Sequence, residues 1–279
     1  MTVVALADLS ELLALPVIQR SAVALVVAGL FLPVVGVLII GFDILTVRFA
    51  VMHVALLGLA VGLWTGIDPT LLALALCAAA GAGLAPLAGR PGGLSGPMGF
   101  LMTVTIAAAL LILSISGVNA NSAFTLLWGS ILATRPIDLA LLVVLAVAVL
   151  TWFSIQRRAI GLVLFDREVA ACSGIAVGGL TAIALMAVSV SIAASIRLTG
   201  ALLVDSLTIL PALAARNLAT SLTSMARLAI GIGLLGSLAG FLLALLLDQP
   251  PGPVLVLVAG SVTTITYIKK GASRAPSFH

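Results

Sequence analysis

Apolar residues run along this chain in long stretches, separated by short groups of glycine, proline and charged residues. A bilayer core about 30 Å thick requires roughly 20 apolar residues in a helix, and most of these stretches reach that length. We therefore predict an all-α protein, a polytopic helical bundle with eight or nine helices that span a membrane. The predicted spans are residues 21–42, 44–64, 70–88, 98–117, 137–156, 175–196, 199–215, 227–247 and 254–268.

The stretch 199–215 is the least typical span, because it is short and contains Asp205 and Pro211. We expect a broken or partial helix that lines a cavity, where irregular backbone is tolerated at membrane depth. The segment 118–136 is too interrupted to span and is predicted to be an interfacial or re-entrant helix. Two glycine pairs at helical spacing, Gly58 with Gly62 and Gly236 with Gly240, indicate close helix packing.

Composition supports a membrane protein, since 62% of the 279 residues are hydrophobic and 8% are charged. A soluble domain normally has about 25% charged residues, so a water-soluble enzyme is excluded and lipid must cover most of the surface. The pI is about 9.8, but the basic residues are scattered singly, which argues against a nucleic-acid partner. Two cysteines, Cys77 and Cys172, offer no disulfide framework.

The basic residues set the orientation. If the predicted spans alternate, ten of the 13 lysines and arginines lie on one side of the membrane, and this side is cytoplasmic by the positive-inside rule. We therefore predict an extracytoplasmic segment 1–20, a transmembrane domain 21–268 and a cytoplasmic tail 269–279. The ten cytoplasmic residues are Arg48, Arg90, Arg157, Arg158, Arg167, Arg216, Arg227, Lys269, Lys270 and Arg274.

Two ionisable residues, His53 and Asp205, fall within predicted spans, where such groups are treated as functional. Imidazole and carboxylate together suit a divalent transition metal such as zinc or manganese, and the imidazole favours zinc. The hydroxyl groups of Ser206 and Thr208 can assist Asp205. The alternative for His53 is an interhelical hydrogen bond.

The cytoplasmic loop 156–174 is the longest polar interruption between spans, and Asp166 can cap a short helix within it. Apolar Val169 and Ala170 beside charged residues indicate an exposed docking surface for a soluble partner, while a solvated turn is the alternative. The sequence contains no Gly-x-x-x-x-Gly-Lys-Ser/Thr loop, so we expect no nucleotide hydrolysis by this chain itself.

Three stretches of the chain resemble the membrane permease subunits of bacterial ABC importers for zinc, manganese and iron. The sequence TGALLVDSLTILPALAARNL at 199–218 is similar to a signature of that family, LDQPPGPVLVLVAG at 247–260 to its external turn, and FDREVAACSGI at 165–175 to its coupling helix. The likeness extends in order over nearly the whole chain and is strongest from about 160 to 260.

This resemblance implies a metal-type permease fold that dimerises in the bacterial inner membrane and contacts two cytoplasmic ATPase subunits. It also implies an extracytoplasmic metal-binding protein as a further partner. ATP is expected to be bound only by the ATPase subunits, and no cofactor is expected to be permanently bound. The residues expected to couple ATP hydrolysis by these subunits to transport are Asp166, Arg167, Glu168, Val169, Ala170 and Gly174.

The resemblance reaches the second span, where the family usually has an aspartate followed four positions later by a histidine. In this chain His53 matches the histidine, whereas the aspartate position is Phe49 and the serine position before the histidine is Met52. We expect Asp205 to supply the carboxylate from another helix.

The expected mechanism is alternating access, in which metal passes a transient His53/Asp205 site and Gly200 and Pro211 permit helix adjustment. Two alternatives stay open. One is a permease of the same type for a siderophore or cobalamin-like cargo, and the other is a proton- or ion-coupled secondary transporter with Asp205 as the relay. A non-transporting membrane scaffold is the third reading, disfavoured by Asp205.

Overall fold

The computed structural model describes residues 14–88, 94–117 and 135–274, and within these ranges the chain is helical with no strand. The predicted interfacial helix at 118–136 lies almost wholly outside the described residues. The helices are α1 Pro16–Gly41, α2 Leu45–Thr65, α3 Pro69–Leu84, α4 Ser95–Ser116, α5 Pro136–Phe165, α6 Arg167–Cys172, α7 Val177–Thr199, α8 Ala201–Leu218, α9 Leu222–Leu246 and α10 Pro251–Arg274.

Eight helices in the described part of the chain are long and apolar enough to cross a membrane. They are α1 to α5, α7, α9 and α10, with mean hydropathy between 1.5 and 3.0 over their most apolar windows. The predicted all-α fold is therefore confirmed. The ninth stretch is α8, which is one continuous helix with Pro211 inside it and is not among the eight.

Three helix ends differ from the sequence prediction. Helix α1 begins at Pro16, so the last residues of the predicted segment 1–20 are helical. Helix α10 continues to Arg274, so the predicted tail starts as helix. The largest difference is at α5, which runs for 30 residues to Phe165 instead of ending at 156. The first part of the predicted loop 156–174 is therefore helix.

The chain forms two compact units. The first unit contains α1, α5 up to residue 150, α8 from residue 202, α9 and α10. Its core includes a cluster of small and aliphatic side chains on α1, α8 and α9, namely Val37, Ile40, Ala212, Ala215 and Ala229. The second unit contains α2, α3, α4, the rest of α5, α6 and α7.

Within the second unit α2 packs against α3, α4 and α7, and α7 packs against α3. The predicted glycine contacts occur here, because a side chain at Gly58 would collide with the backbone of Ala73 and one at Gly62 with Pro69. In the first unit Gly240 packs against Leu255, whereas Gly236 faces open space. Three of the four glycines thus allow close approach of two helices.

Candidate functional site

His53 lies in the middle of α2 and is partly exposed. Its ring Nδ1 lies 2.7 Å from the main-chain oxygen of Phe49, one helical turn earlier. A carbonyl oxygen can only accept, so Nδ1 is the donor in this contact, and in the neutral ring the lone pair is then on Nε2. Metal-binding histidines are commonly oriented by such a bond from the other ring nitrogen, and His53 therefore has the tautomer that a metal ligand requires.

Phe49 occupies the position where the resembled family usually has an aspartate. Its ring is 44% exposed, and the guanidinium carbon of Arg48 lies 4.3 Å from the ring centroid. This distance is typical of a cation–π contact. The space one turn before His53 therefore holds an aromatic ring covered by a cation, and no carboxylate ligand comes from that position.

Asp205 is half-buried on α8, just after the first turn of that helix. The two neighbouring hydroxyls that were expected to assist Asp205 donate to their own helix. The hydroxyl of Ser206 bonds to the oxygen of Leu203 at 2.9 Å, and that of Thr208 to the oxygen of Val204 at 2.6 Å.

The two predicted metal ligands belong to different units, His53 to the second and Asp205 to the first. Their pairing stays a prediction. Within the described ranges, no group of three or more His, Cys, Asp or Glu side chains is placed to hold a metal ion.

The predicted coupling residues come together around α6. Asp166 precedes this helix in an extended conformation, and its side-chain oxygen accepts hydrogen bonds from the main-chain nitrogens of Glu168 at 2.8 Å and Val169 at 3.0 Å. This is an N-cap, in which a carboxylate satisfies otherwise unpaired N–H groups. The prediction that Asp166 caps a short helix is confirmed.

Gly174 closes the other end of α6. Its φ angle is +80°, and its nitrogen donates to the oxygen of Ala171 at 3.0 Å while the nitrogen of Ile175 donates to that of Ala170 at 3.1 Å. These two bonds form a Schellman motif, which requires a left-handed residue that glycine adopts without strain. Both ends of a six-residue helix are therefore fixed by local hydrogen bonds.

The outer surface of α6 carries apolar and acidic groups. Phe165, just before the cap, is 86% exposed and Val169 is 46% exposed, and Glu168 is also exposed. Ala170, which was predicted to share the exposed docking surface, is fully buried. The reason is helical geometry, since adjacent residues on a helix point in different directions. Phe165 was not among the coupling residues predicted from the sequence.

The side chain of Arg167 points from α6 toward the other helices of the second unit. Its Nη1 donates to the main-chain oxygen of Ala88 and its Nη2 to the hydroxyl of Thr181, each at 3.3 Å. Ala88 follows a short turn of 3₁₀ helix at the end of α3, and Thr181 lies on α7. Nothing in the sequence indicated these two partners.

Gly200 separates α7 from α8. Its φ and ψ angles are +82° and 154°, a region that is essentially restricted to glycine, and its nitrogen donates to the oxygen of Ile196 at 2.8 Å. Pro211 lies within α8 without interrupting it. The prediction of a broken helix over 199–215 is therefore wrong, since α8 runs without a break from Ala201 to Leu218, and the role of both residues in helix adjustment stays a prediction.

These features define a polytopic, all-helical membrane protein with a small, capped helix exposed between two of its spans. The family model described as the ABC 3 transport family matches residues 14–270 of this chain. The chain belongs to the ABC 3 transport family.

Individual relatives agree with this assignment. The high-affinity zinc uptake system membrane protein ZnuB of Buchnera aphidicola is 26% identical over 161 residues, covering 58% of this chain and 62% of that protein. The manganese transport system membrane protein MntC of Listeria innocua is 22% identical over 253 residues, covering 90% of each chain. Alignments with the relatives of higher identity cover between 55% and 66% of their own length.

The fold also matches a solved structure, that of PsaBC from Streptococcus pneumoniae in complex with Fab. The TM-score is 0.80 with 21% sequence identity, and the match covers 94% of this chain and 95% of the other. The two chains therefore share a fold.

Proposed function

We propose that this chain is the membrane-spanning permease subunit of an ATP-driven importer for a divalent transition metal, with zinc as the first candidate and manganese as the second. Membership of the ABC 3 transport family supports the transporter class. Relatives named for zinc uptake and for manganese transport support the cargo class. The partly exposed imidazole of His53 favours zinc, because imidazole is a preferred zinc ligand.

The observation that carries this proposal is the form of α6. A six-residue helix is too short to be stable alone, yet both ends of α6 are capped and it presents Phe165, Glu168 and Val169 to solvent. A rigid, exposed helix with apolar and charged groups suits contact with a soluble protein. Since this chain has no nucleotide-binding loop, the partner assigned to this helix is a separate cytoplasmic ATPase subunit.

The cargo path includes His53 and Asp205. With Nδ1 bonded to the Phe49 carbonyl, Nε2 of His53 is the atom that binds the ion, and Asp205 contributes charge from α8. A closed four-ligand site would retain zinc as a structural ion. A sparse set of ligands binds the cargo briefly and lets it leave.

The complete importer contains two copies of this chain, two ATPase subunits and an extracytoplasmic metal-binding protein. The N-terminus lies outside and the C-terminus inside, the arrangement that the positive-inside rule favours when α8 crosses as a ninth span. Alternating access then carries metal inward, and Gly200 and Pro211 permit the helix adjustment that this movement requires.

The experiment is metal uptake into proteoliposomes that contain this chain, its ATPase subunit and its binding protein. Radioactive zinc, manganese and iron are compared with and without ATP. We expect ATP-dependent zinc uptake that exceeds manganese uptake, and loss of transport in an ATPase variant that cannot hydrolyse ATP. Uptake that continues without the ATPase subunit would overturn the proposal and favour a secondary transporter.

Two variants separate the metal path from the larger-cargo alternative. His53→Ala and Asp205→Asn are expected to reduce zinc uptake while the complex still assembles. If both variants transport zinc at the normal rate, these residues are not on the path. If the intact complex transports a metal chelate but no free metal, the cargo assignment is wrong.

A further inference from the structure

Helix α6 has few apolar contacts to hold it in place. Of its six residues only Ala170 is buried, and the other five are exposed. A helix with one small buried side chain gains little from the hydrophobic effect. Its position relative to the rest of the second unit must therefore depend on its chain connections and on polar contacts.

Arg167 provides such contacts with two different elements. One terminal nitrogen donates to the oxygen of Ala88, at the end of α3, and the other donates to the hydroxyl of Thr181 on α7. The hydroxyl hydrogen of Thr181 is donated to the oxygen of Val177 at 2.8 Å, so its lone pairs face the guanidinium. The planar fork of arginine can make both bonds at once, which a lysine cannot reproduce.

The space around this contact is not filled by side chains. A cavity of about 200 Å³ is lined by Arg167, Ala88 and Thr181 together with Phe42, Asp43 and Leu185. The guanidinium on the wall of this cavity thus connects three elements across a region without tight packing.

We propose that Arg167 is a positioning residue that makes α6 move as one body with α3 and α7. This inference rests on the proposed function, because it concerns how the position of α6 is transmitted to the spans. When a cytoplasmic ATPase displaces α6, the two hydrogen bonds of Arg167 carry the displacement to α3 through Ala88 and to α7 through Thr181. Loss of these bonds would let α6 move while the spans stay behind.

The first test measures the helix directly and needs no ATPase. Cys172 is exposed at the end of α6, whereas Cys77 is buried, so a thiol-reactive spin label attaches to α6 in the full chain in lipid nanodiscs. Mass spectrometry confirms one label per chain. We expect a more mobile spectrum in Arg167→Ala, an intermediate one in Arg167→Lys and an unchanged one in Arg158→Ala, which removes an exposed arginine of α5. An unchanged spectrum in Arg167→Ala overturns the proposal.

The second test uses the transport complex in proteoliposomes. We expect Arg167→Ala to keep ATP hydrolysis while the metal transported per ATP falls at least about tenfold, since the loss of even one of its two charge-assisted hydrogen bonds corresponds to about that factor. Thr181→Val removes one acceptor with little change in shape and is expected to give a smaller loss. The double variant should be no worse than Arg167→Ala, because the two residues share one interaction. Additive losses would contradict the proposed contact.

The two proposals fail in different ways. If the wild-type complex transports no metal, the proposed function is wrong, whatever the spin label shows. If the wild-type complex transports metal and Arg167→Ala keeps its full yield per ATP, only the role of Arg167 is wrong.

Discussion

Nδ1 of His53 and the main-chain oxygen of Phe49 lie 2.7 Å apart, so the histidine ring is fixed by a bond within its own helix. Because the acceptor belongs to the backbone, this bond does not depend on which side chain occupies position 49. The orientation of the ring is therefore preserved when Phe49 is replaced, and the two positions can be tested separately.

Replacement of His53 by alanine is expected to reduce zinc uptake at least about tenfold, since even residues that only orient a metal ligand affect affinity by that amount. His53→Gln retains a hydrogen-bonding side chain without the ring and should be equally impaired. Met52→Leu, on the neighbouring position, is the control and should transport normally. Uptake is measured at equal amounts of assembled complex. Normal uptake by His53→Ala would remove His53 from the cargo path.

Replacement of Phe49 by aspartate places a carboxylate one turn before His53 on the same face of α2. We expect zinc to bind the permease about tenfold more tightly, equivalent to about 1.4 kcal/mol, as measured by calorimetry on the purified chain. Phe49→Asn removes the ring and the contact with Arg48 without adding charge, so it should leave affinity unchanged. Equal zinc affinities in the wild type, Phe49→Asp and Phe49→Asn would show that position 49 does not face the ion.

Replacement of Asp166 by alanine removes the cap of α6 and is expected to destabilise this helix by about 0.5–2 kcal/mol. Asp166→Asn should have a much smaller effect, because asparagine is also a good N-cap. Hydrogen exchange followed by mass spectrometry measures the change at residues 168–172. Equal exchange in Asp166→Ala and the wild type would show that the Schellman motif alone maintains the helix.

The cap was predictable from the sequence, because an N-cap depends on residues that are adjacent in the chain. The eight spans were predictable for a similar reason, since lipid imposes a length and a composition on each helix. The extension of α5 past residue 156 was not predictable in this way. Gln156, Arg157 and Arg158 interrupt the apolar stretch, but these residues are good helix formers. The helix continues to Phe165 through a second apolar stretch, in which Ile160 and Val163 are buried.

The inward direction of Arg167 could not be predicted either. Its acceptors lie 79 residues before it, at Ala88, and 14 residues after it, at Thr181. Contacts between such distant residues depend on how the helices pack, and no pattern in the sequence encodes them. For the same reason the burial of Ala170 next to exposed Val169 became visible only in the structure.

Replacement of Gly200 by alanine is expected to destabilise the protein by about 1–3 kcal/mol, because the backbone angles at this position suit only glycine. Thermal unfolding of the detergent-solubilised chain measures the effect. The control is Gly260→Ala on α10, where a side chain would meet open space and alanine favours the helix by up to about 1 kcal/mol. A fall in the unfolding midpoint of equal size in both variants would contradict the special role of Gly200.

Binding of the ATPase subunit is expected to protect Cys172 from a maleimide reagent, because this cysteine is exposed on α6. Labelling is compared in proteoliposomes with and without the ATPase subunit. The control is Gln249→Cys in a chain with Cys172→Ser, an exposed position between α9 and α10, labelled in parallel. Labelling of Cys172 at the same rate in both preparations would place the ATPase contact elsewhere.

The length of α5 has a consequence for the membrane itself. Its 30 residues correspond to about 45 Å, about 15 Å more than the hydrocarbon core of a bilayer. Arginines near the end of a span are expected at the level of the lipid headgroups, and Phe165 lies about 10 Å beyond the exposed Arg157 and Arg158 along the helix. The ATPase subunit proposed to contact α6 would then do so beyond the hydrocarbon core, without entering the permeability barrier.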